Sequence, residues 1–94
     1  MKIIFKASYK CPISRRAKRK TDAFLKNTKQ EVEYEFVDVI DNRERSNKIA
    51  EQYGIQHKSP QIIILDDNKN VIWDASHGAI TEKNINKAIS NPLL

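Results

Sequence analysis

Residues 2–14 of the chain read KIIFKASYKCPIS, which places a cysteine between a strand pattern and a helix pattern. The apolar run at residues 3–5 predicts a strand over residues 2–7. Helical periodicity begins directly after Cys11 and predicts a helix over residues 12–28. Because Cys11 is the only cysteine in the chain, neither an internal disulfide nor a cysteine-based zinc site is expected.

The start of this helix favours a reactive thiolate. Pro12 would be the first helical residue, where its missing N–H costs nothing. Cys11 would be the N-cap, with its thiol aimed at the free amides of Ile13 and Ser14. Since a helix N-terminus lowers the pKa of a thiol, we predict that Cys11 is catalytic rather than an inert buried thiol. Ser14 would either donate its hydroxyl to the sulfur anion or be a plain first-turn residue.

The predicted first helix is amphipathic. One stripe, predicted to face the core, contains Ile13, Ala17, Thr21 and Phe24. The opposite face carries most of the cations of this helix, which are Arg15, Arg16, Lys18, Arg19 and Lys26. The first four of them form a dense basic run with Lys20, which lies near the apolar stripe. This run, like the net charge of +5, indicates either a solvated basic surface or an anionic partner. Nucleic-acid binding is not expected, because no aromatic residues interrupt the basic run.

Cationic side chains close to the thiol in sequence could add to the effect of the helix. They are Lys6, Lys10 and either Arg15 or Arg16. His57 and His77 are predicted to be surface or structural residues, since nothing in their spacing places either beside the thiol. Trp73 lies in an apolar strand pattern and is predicted to be part of the core.

The remaining segments alternate between strand and helix patterns. Further elements are predicted at residues 32–39 (strand), 42–53 (helix), 62–65 and 71–73 (strands), and after Thr81 (helix). Asp41 and Thr81 are expected as N-caps, and Gly54 as the left-handed residue that ends the second helix.

The predicted order is β-α-β-α-β-β-α. A strand–helix–strand opening requires a parallel pair, and the later tight hairpin requires an antiparallel pair. We therefore predict an α/β fold with a four-stranded mixed sheet and helices on both faces. No repeat or linker divides the sequence, so residues 1–94 are expected to form one domain.

Composition is that of an ordinary globular protein, with 39% hydrophobic and 31% charged residues. No apolar stretch approaches the roughly 20 residues of a membrane-spanning helix, and the apolar segment at the N-terminus is too short for a secretory signal. A lone thiol suits a reducing compartment. We therefore expect a cytoplasmic protein, monomeric and without membrane or nucleic-acid partners.

Several of these segments resemble a known family. The order of elements, with Cys-Pro opening the first helix and Ser59-Pro60 preceding a buried strand, resembles the thioredoxin-like fold. The resemblance is closest to the monothiol bacilliredoxins, thioredoxin-like proteins of low-molecular-weight-thiol metabolism in Gram-positive bacteria. The segments that carry it are Cys11-Pro12-Ile13-Ser14, residues 50–55, Ser59-Pro60-Gln61-Ile62 and Ala75-Ser76-His77.

The resemblance implies a monothiol thiol–disulfide oxidoreductase that removes bacillithiol from mixed disulfides on protein cysteines. Bacillithiol would be its co-substrate and bacillithiolated proteins its partners, with no bound cofactor and no metal. Lys10, Pro12, Ser59 and Pro60 would contact substrate, with Pro60 in a cis peptide bond that brings Ser59 beside the thiol. The exposed backbone of Ser59 could then pair with an extended substrate segment.

Two alternatives stay open at this point. The protein could be a monothiol oxidoreductase that uses another low-molecular-weight thiol or a protein thiol. It could also be a non-catalytic thioredoxin-like binding module in which Cys11 is incidental.

Overall fold

The computed structural model describes residues 1–90. Within them the strands are β1 (Lys2–Ala7), β2 (Glu33–Asp38), β3 (Gln61–Leu65) and β4 (Val71–Ser76). The helices are α1 (Pro12–Asn27), α2 (Arg43–Tyr53) and α3 (Glu82–Ser90), with a 3₁₀ turn at His77–Ala79 before α3. The predicted order of strands and α-helices is confirmed.

The sheet has the strand order β2-β1-β3-β4. β1 pairs in parallel with β2 and antiparallel with β3, and β3 pairs antiparallel with β4. The prediction of a four-stranded mixed sheet is therefore confirmed. Because β1 is an inner strand, the turn after it begins at the middle of the row of strand ends that forms one edge of the sheet.

Each face of the sheet has its own apolar cluster, because side chains alternate along a strand. On one face, Ile3 and Phe5 of β1 pack with Phe24 of α1 and Ile85 of α3. On the other face, Ile4 packs with residues that include Ile49 of α2. The helices thus cover both faces, as predicted.

The start of α1 corrects one prediction. Ile13 is 55% exposed and does not face the core, whereas Ser14 is buried. The buried stripe of α1 consists of Ser14, Ala17, Thr21 and Phe24. Ile13 and Ser14 lie in the same helical turn, about 100° apart around the helix axis, and it is Ser14 that lies on the buried side.

The ends of the other helices follow the predictions in part. Asp41 is not the N-cap of α2: Asn42 takes that position and makes no side-chain cap hydrogen bond. The carboxylate of Asp38 instead accepts the backbone N–H groups of Ile40 and Asp41, both at 2.9 Å, and forms the turn before α2. The predicted left-handed Gly54 is confirmed, with φ of 63°.

Thr81 behaves as the sequence predicts for an N-cap. Its hydroxyl accepts the backbone N–H of Asn84 at 3.1 Å, and α3 begins at Glu82. In the part of the chain that the structure describes, no helix has the length and apolarity needed to cross a membrane.

Candidate active site

The turn that carries Cys11 is held by backbone hydrogen bonds on both sides. The N–H of Cys11 donates to the carbonyl oxygen of Ser8 at 3.2 Å, and the N–H of Arg15 donates to the carbonyl oxygen of Cys11 at 3.0 Å. The hydroxyl of Ser8 also accepts the N–H of Lys10 at 3.2 Å. Cys11 is the N-cap of α1 in extended conformation, and Pro12 is the first helical residue. The thiol therefore stands at the positive end of a 16-residue helix.

The surroundings of the sulfur favour its charged form. The pKa of the Cys11 thiol is lowered, mainly by the backbone N–H groups of Ser14 and Ile13. The hydroxyl of Ser14 and the charge of Arg15 lower it further, while desolvation acts in the opposite direction. The neutral thiol makes no capping hydrogen bond, so these amides are available to the thiolate. Cys11 is partly exposed, which leaves the sulfur open to an incoming disulfide.

The hydroxyl of Ser14 is buried and unpaired. Ser14 is 1% exposed, and its Oγ has no hydrogen-bond partner among residues 1–90. A buried hydroxyl without a partner costs about 1–3 kcal/mol. A negative charge on the neighbouring sulfur gives this hydroxyl an acceptor. Burial thus favours the interpretation of Ser14 as a donor to the sulfur anion over that of a solvated first-turn residue.

The loop between α2 and β3 reaches the same edge of the sheet. The Ser59-Pro60 peptide bond is cis, as the resemblance implies. Lys6 of β1 lies opposite Gln61 of β3, so Ser59 and Pro60 continue alongside the residues that lead into the Cys11 turn. The carbonyl oxygen of Pro60 accepts the N–H of His77 at 3.1 Å, which ties this loop to the 3₁₀ turn.

Gln61 holds the same loop from within, and the sequence reasoning did not single it out. Its side chain is 1% exposed. Its Nε2 donates to the carbonyl oxygen of Gln56 at 3.0 Å, and its Oε1 accepts the N–H of Lys58 at 3.4 Å. A glutamine at the head of an otherwise apolar strand was the available signal, since a buried polar side chain must find partners.

Lys6 and His57 lie in a polar cluster on the α2 face. Lys6 is fully buried, and its Nζ donates to the carbonyl oxygen of Ser46 at 3.2 Å. The Oγ of Ser46 lies 3.3 Å from Nδ1 of His57. Burial lowers the pKa of Lys6, and desolvation, followed by the charges of Lys6 and Arg43, lowers the pKa of His57. The expectation that Lys6 assists the thiol was wrong, because its side chain is directed at α2.

The surface around the thiol combines apolar and cationic side chains. Tyr9 and Ile13 are 53% and 55% exposed, and Lys10 and Pro12 are exposed beside them. The ring of Tyr9 packs on Phe36 with centroids 5.1 Å apart, and the guanidinium of Arg15 donates to the carbonyl oxygen of Tyr9 at 3.0 Å. These contacts hold the exposed side chains in place next to Cys11.

The structure also places the two histidines and the tryptophan that the sequence singles out. His57 and His77 are exposed, as predicted, and His77 has a positive φ of 55°. Trp73 is only half-buried, packing against the cluster on the α1 and α3 face rather than lying wholly within it. Among residues 1–90, no group of three or more His, Cys, Asp or Glu side chains could hold a metal ion.

Solved structures with the same arrangement include several thioredoxin-fold proteins. A thioredoxin-fold protein classed as an oxidoreductase matches with a TM-score of 0.85 and 27% identity, over 94% of this chain and 76% of its own. Thioredoxin 1 from the thermophilic eubacterium Thermosipho africanus matches with a TM-score of 0.73 and 24% identity, over 99% of this chain and 94% of its own. The second likeness concerns the fold alone.

Fold and site together define the class: the protein is a thiol–disulfide oxidoreductase with a thioredoxin-like fold. A family model narrows this class further. The model of the monothiol bacilliredoxin BrxC matches residues 1–85, and the chain belongs to that family.

Proposed function

We propose that the protein removes bacillithiol from mixed disulfides on protein cysteines and carries it transiently on Cys11. The observation that supports this most directly is the combination of a partly exposed thiol of lowered pKa with the absence of a second cysteine anywhere in the sequence. Only a thiolate attacks a disulfide, and a lone thiolate has no internal thiol to resolve the adduct that it forms.

The first step is the attack of the Cys11 thiolate on the bacillithiol sulfur of the substrate's mixed disulfide. A bond forms between Cys11 Sγ and that sulfur, and the bond to the substrate's cysteine breaks. The substrate leaves as a thiolate, which takes a proton from solvent. Its cysteine is thereby reduced, and the bacillithiol is held as a mixed disulfide on Cys11.

A second bacillithiol completes the cycle. Its thiolate attacks the bacillithiol sulfur of the adduct, and the Cys11 thiolate leaves. The product is bacillithiol disulfide, which a separate reductase must recycle. The helix amides and the buried Ser14 hydroxyl stabilise the Cys11 thiolate, so they assist both its formation and its departure.

The remaining residues of the site would position the substrate. Ser59, half-buried beside Pro60, would present backbone groups to an extended segment of the substrate protein. Lys10 and Pro12 would contact the substrate at the mouth of the site. The anionic malyl group of bacillithiol suits the cationic surroundings of Cys11. We propose further that the protein needs no bound cofactor and uses bacillithiol as its co-substrate. The chain would be a single domain that works as a monomer in the cytoplasm.

The test is the intact mass of the protein after it is mixed with bacillithiol disulfide. We expect one adduct of bacillithiol mass on the wild-type chain and none on the Cys11→Ala variant. Lack of an adduct on the wild type, or its persistence in Cys11→Ala, would contradict the proposal.

The thiol's identity needs a second comparison. Rates of adduct formation and resolution should be measured side by side with the disulfides and thiols of bacillithiol, glutathione and coenzyme A. Bacillithiol is expected to be fastest in both steps. An equal or faster rate with glutathione or coenzyme A would reject bacillithiol as the preferred co-substrate. The proposal that the protein is a monothiol oxidoreductase would still stand.

A further inference from the structure

We propose that the protein selects its protein substrates by charge, favouring cysteines that lie in acidic segments with apolar side chains nearby. This inference rests on the proposed thiol–disulfide exchange at Cys11 and names the class of substrate segment that the surface around Cys11 fits.

The distribution of charge along the sequence is the first observation. The first acidic residue of the chain is Asp22, and eight cationic residues precede it: Lys2, Lys6, Lys10, Arg15, Arg16, Lys18, Arg19 and Lys20. Residues 52–65 and residues 75–81 also contain no Asp or Glu. The net charge of +5 is therefore distributed unevenly, with long stretches free of negative charge.

The fold brings these acid-free segments together. The Cys11 turn, the Ser59-Pro60 loop and the 3₁₀ turn at His77–Ala79 all belong to them. The register of β1 and β3 places the first two side by side, and the N–H of His77 bonds to the carbonyl oxygen of Pro60. The 3₁₀ turn also contacts α1. A substrate segment that reaches Cys11 thus meets three segments without negative charge. On the other side of β1, the pairing of Ala7 with Asp38 brings the carboxylates of Asp38 and the adjoining Asp41 to the same end of the sheet.

Cations at this surface are available to a partner. Lys10, Arg15, Arg16 and Lys58 are exposed. Across residues 1–90, none of the four forms an ion pair with a carboxylate. At the same edge of the sheet, the carboxylate of Asp38 is occupied by two backbone N–H groups.

Apolar contact area lies between these charges. Tyr9 and Ile13, two residues before and two residues after the thiol, are each more than half exposed. Large apolar side chains exposed together with cations are typical of a surface that binds a partner. Charge complementarity then specifies the partner as an acidic segment of a substrate protein, since a basic segment would be repelled.

The test uses peptides that contain no bacillithiol, so that it does not depend on the identity of the proposed co-substrate. Three matched peptides carry one cysteine flanked by two glutamates, two glutamines or two lysines, each as a mixed disulfide with 2-thiopyridine. The Cys11 thiolate attacks the peptide sulfur, the bond to the pyridine sulfur breaks, and 2-thiopyridone leaves with the electron pair and takes a proton from solvent. Its absorbance gives the rate, which is divided by the rate of each peptide with 2-mercaptoethanol to remove differences in intrinsic reactivity.

The normalised rate is expected to fall in the order glutamate, glutamine, lysine. Exposed ion pairs suggest a change of about two- to five-fold for each cation neutralised. Raising the salt to about 1 M, where the screening length falls to about 3 Å, should bring the three rates together. Equal normalised rates at low salt, or a preference that salt leaves unchanged, would overturn the proposal.

Variants of surface cations test whether the preference for the glutamate peptide comes from the residues around Cys11. Arg16→Gln and Lys58→Gln should each reduce the ratio of the glutamate to the lysine peptide, whereas Lys26→Gln, the same change in the last turn of α1, should not. An equal reduction in Lys26→Gln would assign the effect to net charge and reject the local surface.

The outcome is separable from that of the mass experiment. If no bacillithiol adduct forms but the peptides react with the expected preference, the proposed co-substrate fails and the charge selection stands. If the adduct forms but the peptides react equally, the charge selection fails alone. A chain that reacts with none of the peptides overturns the charge selection, and a chain that also forms no bacillithiol adduct overturns both proposals.

Discussion

The backbone N–H of Ser14 is the group that contributes most to lowering the pKa of Cys11, while the hydroxyl of Ser14 is buried and has no hydrogen-bond partner among residues 1–90. One residue thus acts on the sulfur in two ways, through its main chain and through its side chain. The main-chain contribution depends only on the helix starting at Pro12, so any residue at position 14 would supply it. The side-chain contribution requires a small hydrogen-bond donor.

Replacing Ser14 by Ala should separate these two contributions. We expect the pKa of Cys11 to rise in Ser14→Ala but to stay below that of an ordinary thiol, since the helix amides remain. At a pH at which Cys11 is a neutral thiol, the unfolding free energy should not fall, because a buried hydroxyl with no hydrogen-bond partner among residues 1–90 is removed. The pH dependence of iodoacetamide alkylation gives the pKa, and urea unfolding gives the stability.

Thr21→Ala is the matched control. Thr21 lies two turns further along the same buried stripe, and its hydroxyl donates to the carbonyl oxygen of Ala17 at 3.0 Å. This variant should lose stability and leave the alkylation profile unchanged. An alkylation profile of Ser14→Ala identical to that of the wild type would show that the hydroxyl does not act on the sulfur.

Removing the charge of Lys6 should raise the pKa of His57. The ammonium of Lys6 and the ring of His57 meet at Ser46, and the positive charge disfavours protonation of the imidazole. Lys6→Met keeps the length of the side chain and removes the charge. The measurement is the titration of the His57 ring protons by NMR. Lys48→Met, an exposed change on the same helix, should leave that titration as it is in the wild type.

Comparing Gly54 with Gly78 tests the cost of placing a side chain on a left-handed backbone. An added Cβ would contact nothing within 4 Å at either position, but Gly54 has φ of +63° and Gly78 lies outside the left-handed region. Gly54→Ala should therefore lower the unfolding free energy by about 1–2 kcal/mol. Gly78→Ala should be neutral or stabilise by up to about 1 kcal/mol, because Ala restricts the unfolded chain. Equal effects in urea unfolding would contradict this assignment.

The ion pair of Glu35 with Arg45 should make stability depend on acid pH. Two hydrogen bonds of 2.9 Å join the guanidinium to the carboxylate; these bonds first, and then the ammonium of Lys2 at 3.1 Å, lower the pKa of Glu35 from 4.5 to about 2. Since the folded-state pKa lies below the unfolded value, the stabilisation is complete above pH 4.5 and is lost as the pH falls towards 2.

Glu35→Gln should accordingly be less stable than the wild type at neutral pH, by up to about 1 kcal/mol for a partly exposed pair. The difference should shrink as unfolding is repeated at pH values approaching about 2. Glu44→Gln, which removes an exposed pair with Lys48, is the control and should change stability little. A constant difference between Glu35→Gln and the wild type at every pH would contradict the assignment.

The fold could be predicted from the sequence because its main signals are local. The apolar runs of β1 and β3, the left-handed Gly54 and the cap at Thr81 each report on a few neighbouring residues. The same locality explains the error at Ile13. Helical periodicity shows that either Ile13 or Ser14 can share a stripe with Ala17, at spacings of four and three residues, but it does not show which of the two is buried.

The structure of the candidate site was predictable at the Cys11 turn and less so around it. Cys11 at a strand-to-helix turn can be identified from the chain, and Ser59-Pro60 from the resemblance. Gln61 had a local signal, its place at the head of an apolar strand, whereas the cluster of Lys6 with Ser46 had none, because its members lie in different elements. Lys6 is close to Cys11 in sequence, yet the alternation of side chains along β1 directs it to the opposite layer.

The burial of Lys6 also makes one end of β1 easier to hydrate than the other. Ile3 and Phe5 pack in an apolar cluster. The ammonium of Lys6, near the carboxyl end of the strand, instead donates to the carbonyl oxygen of Ser46. Any brief separation of α2 from the sheet lets water hydrate that ammonium, which favours the opened form. Backbone amides at the carboxyl end of β1 should therefore exchange with deuterium sooner than those at Ile3 and Ile4. We therefore expect water to reach the end of β1 that leads into the thiol turn before it reaches the other end.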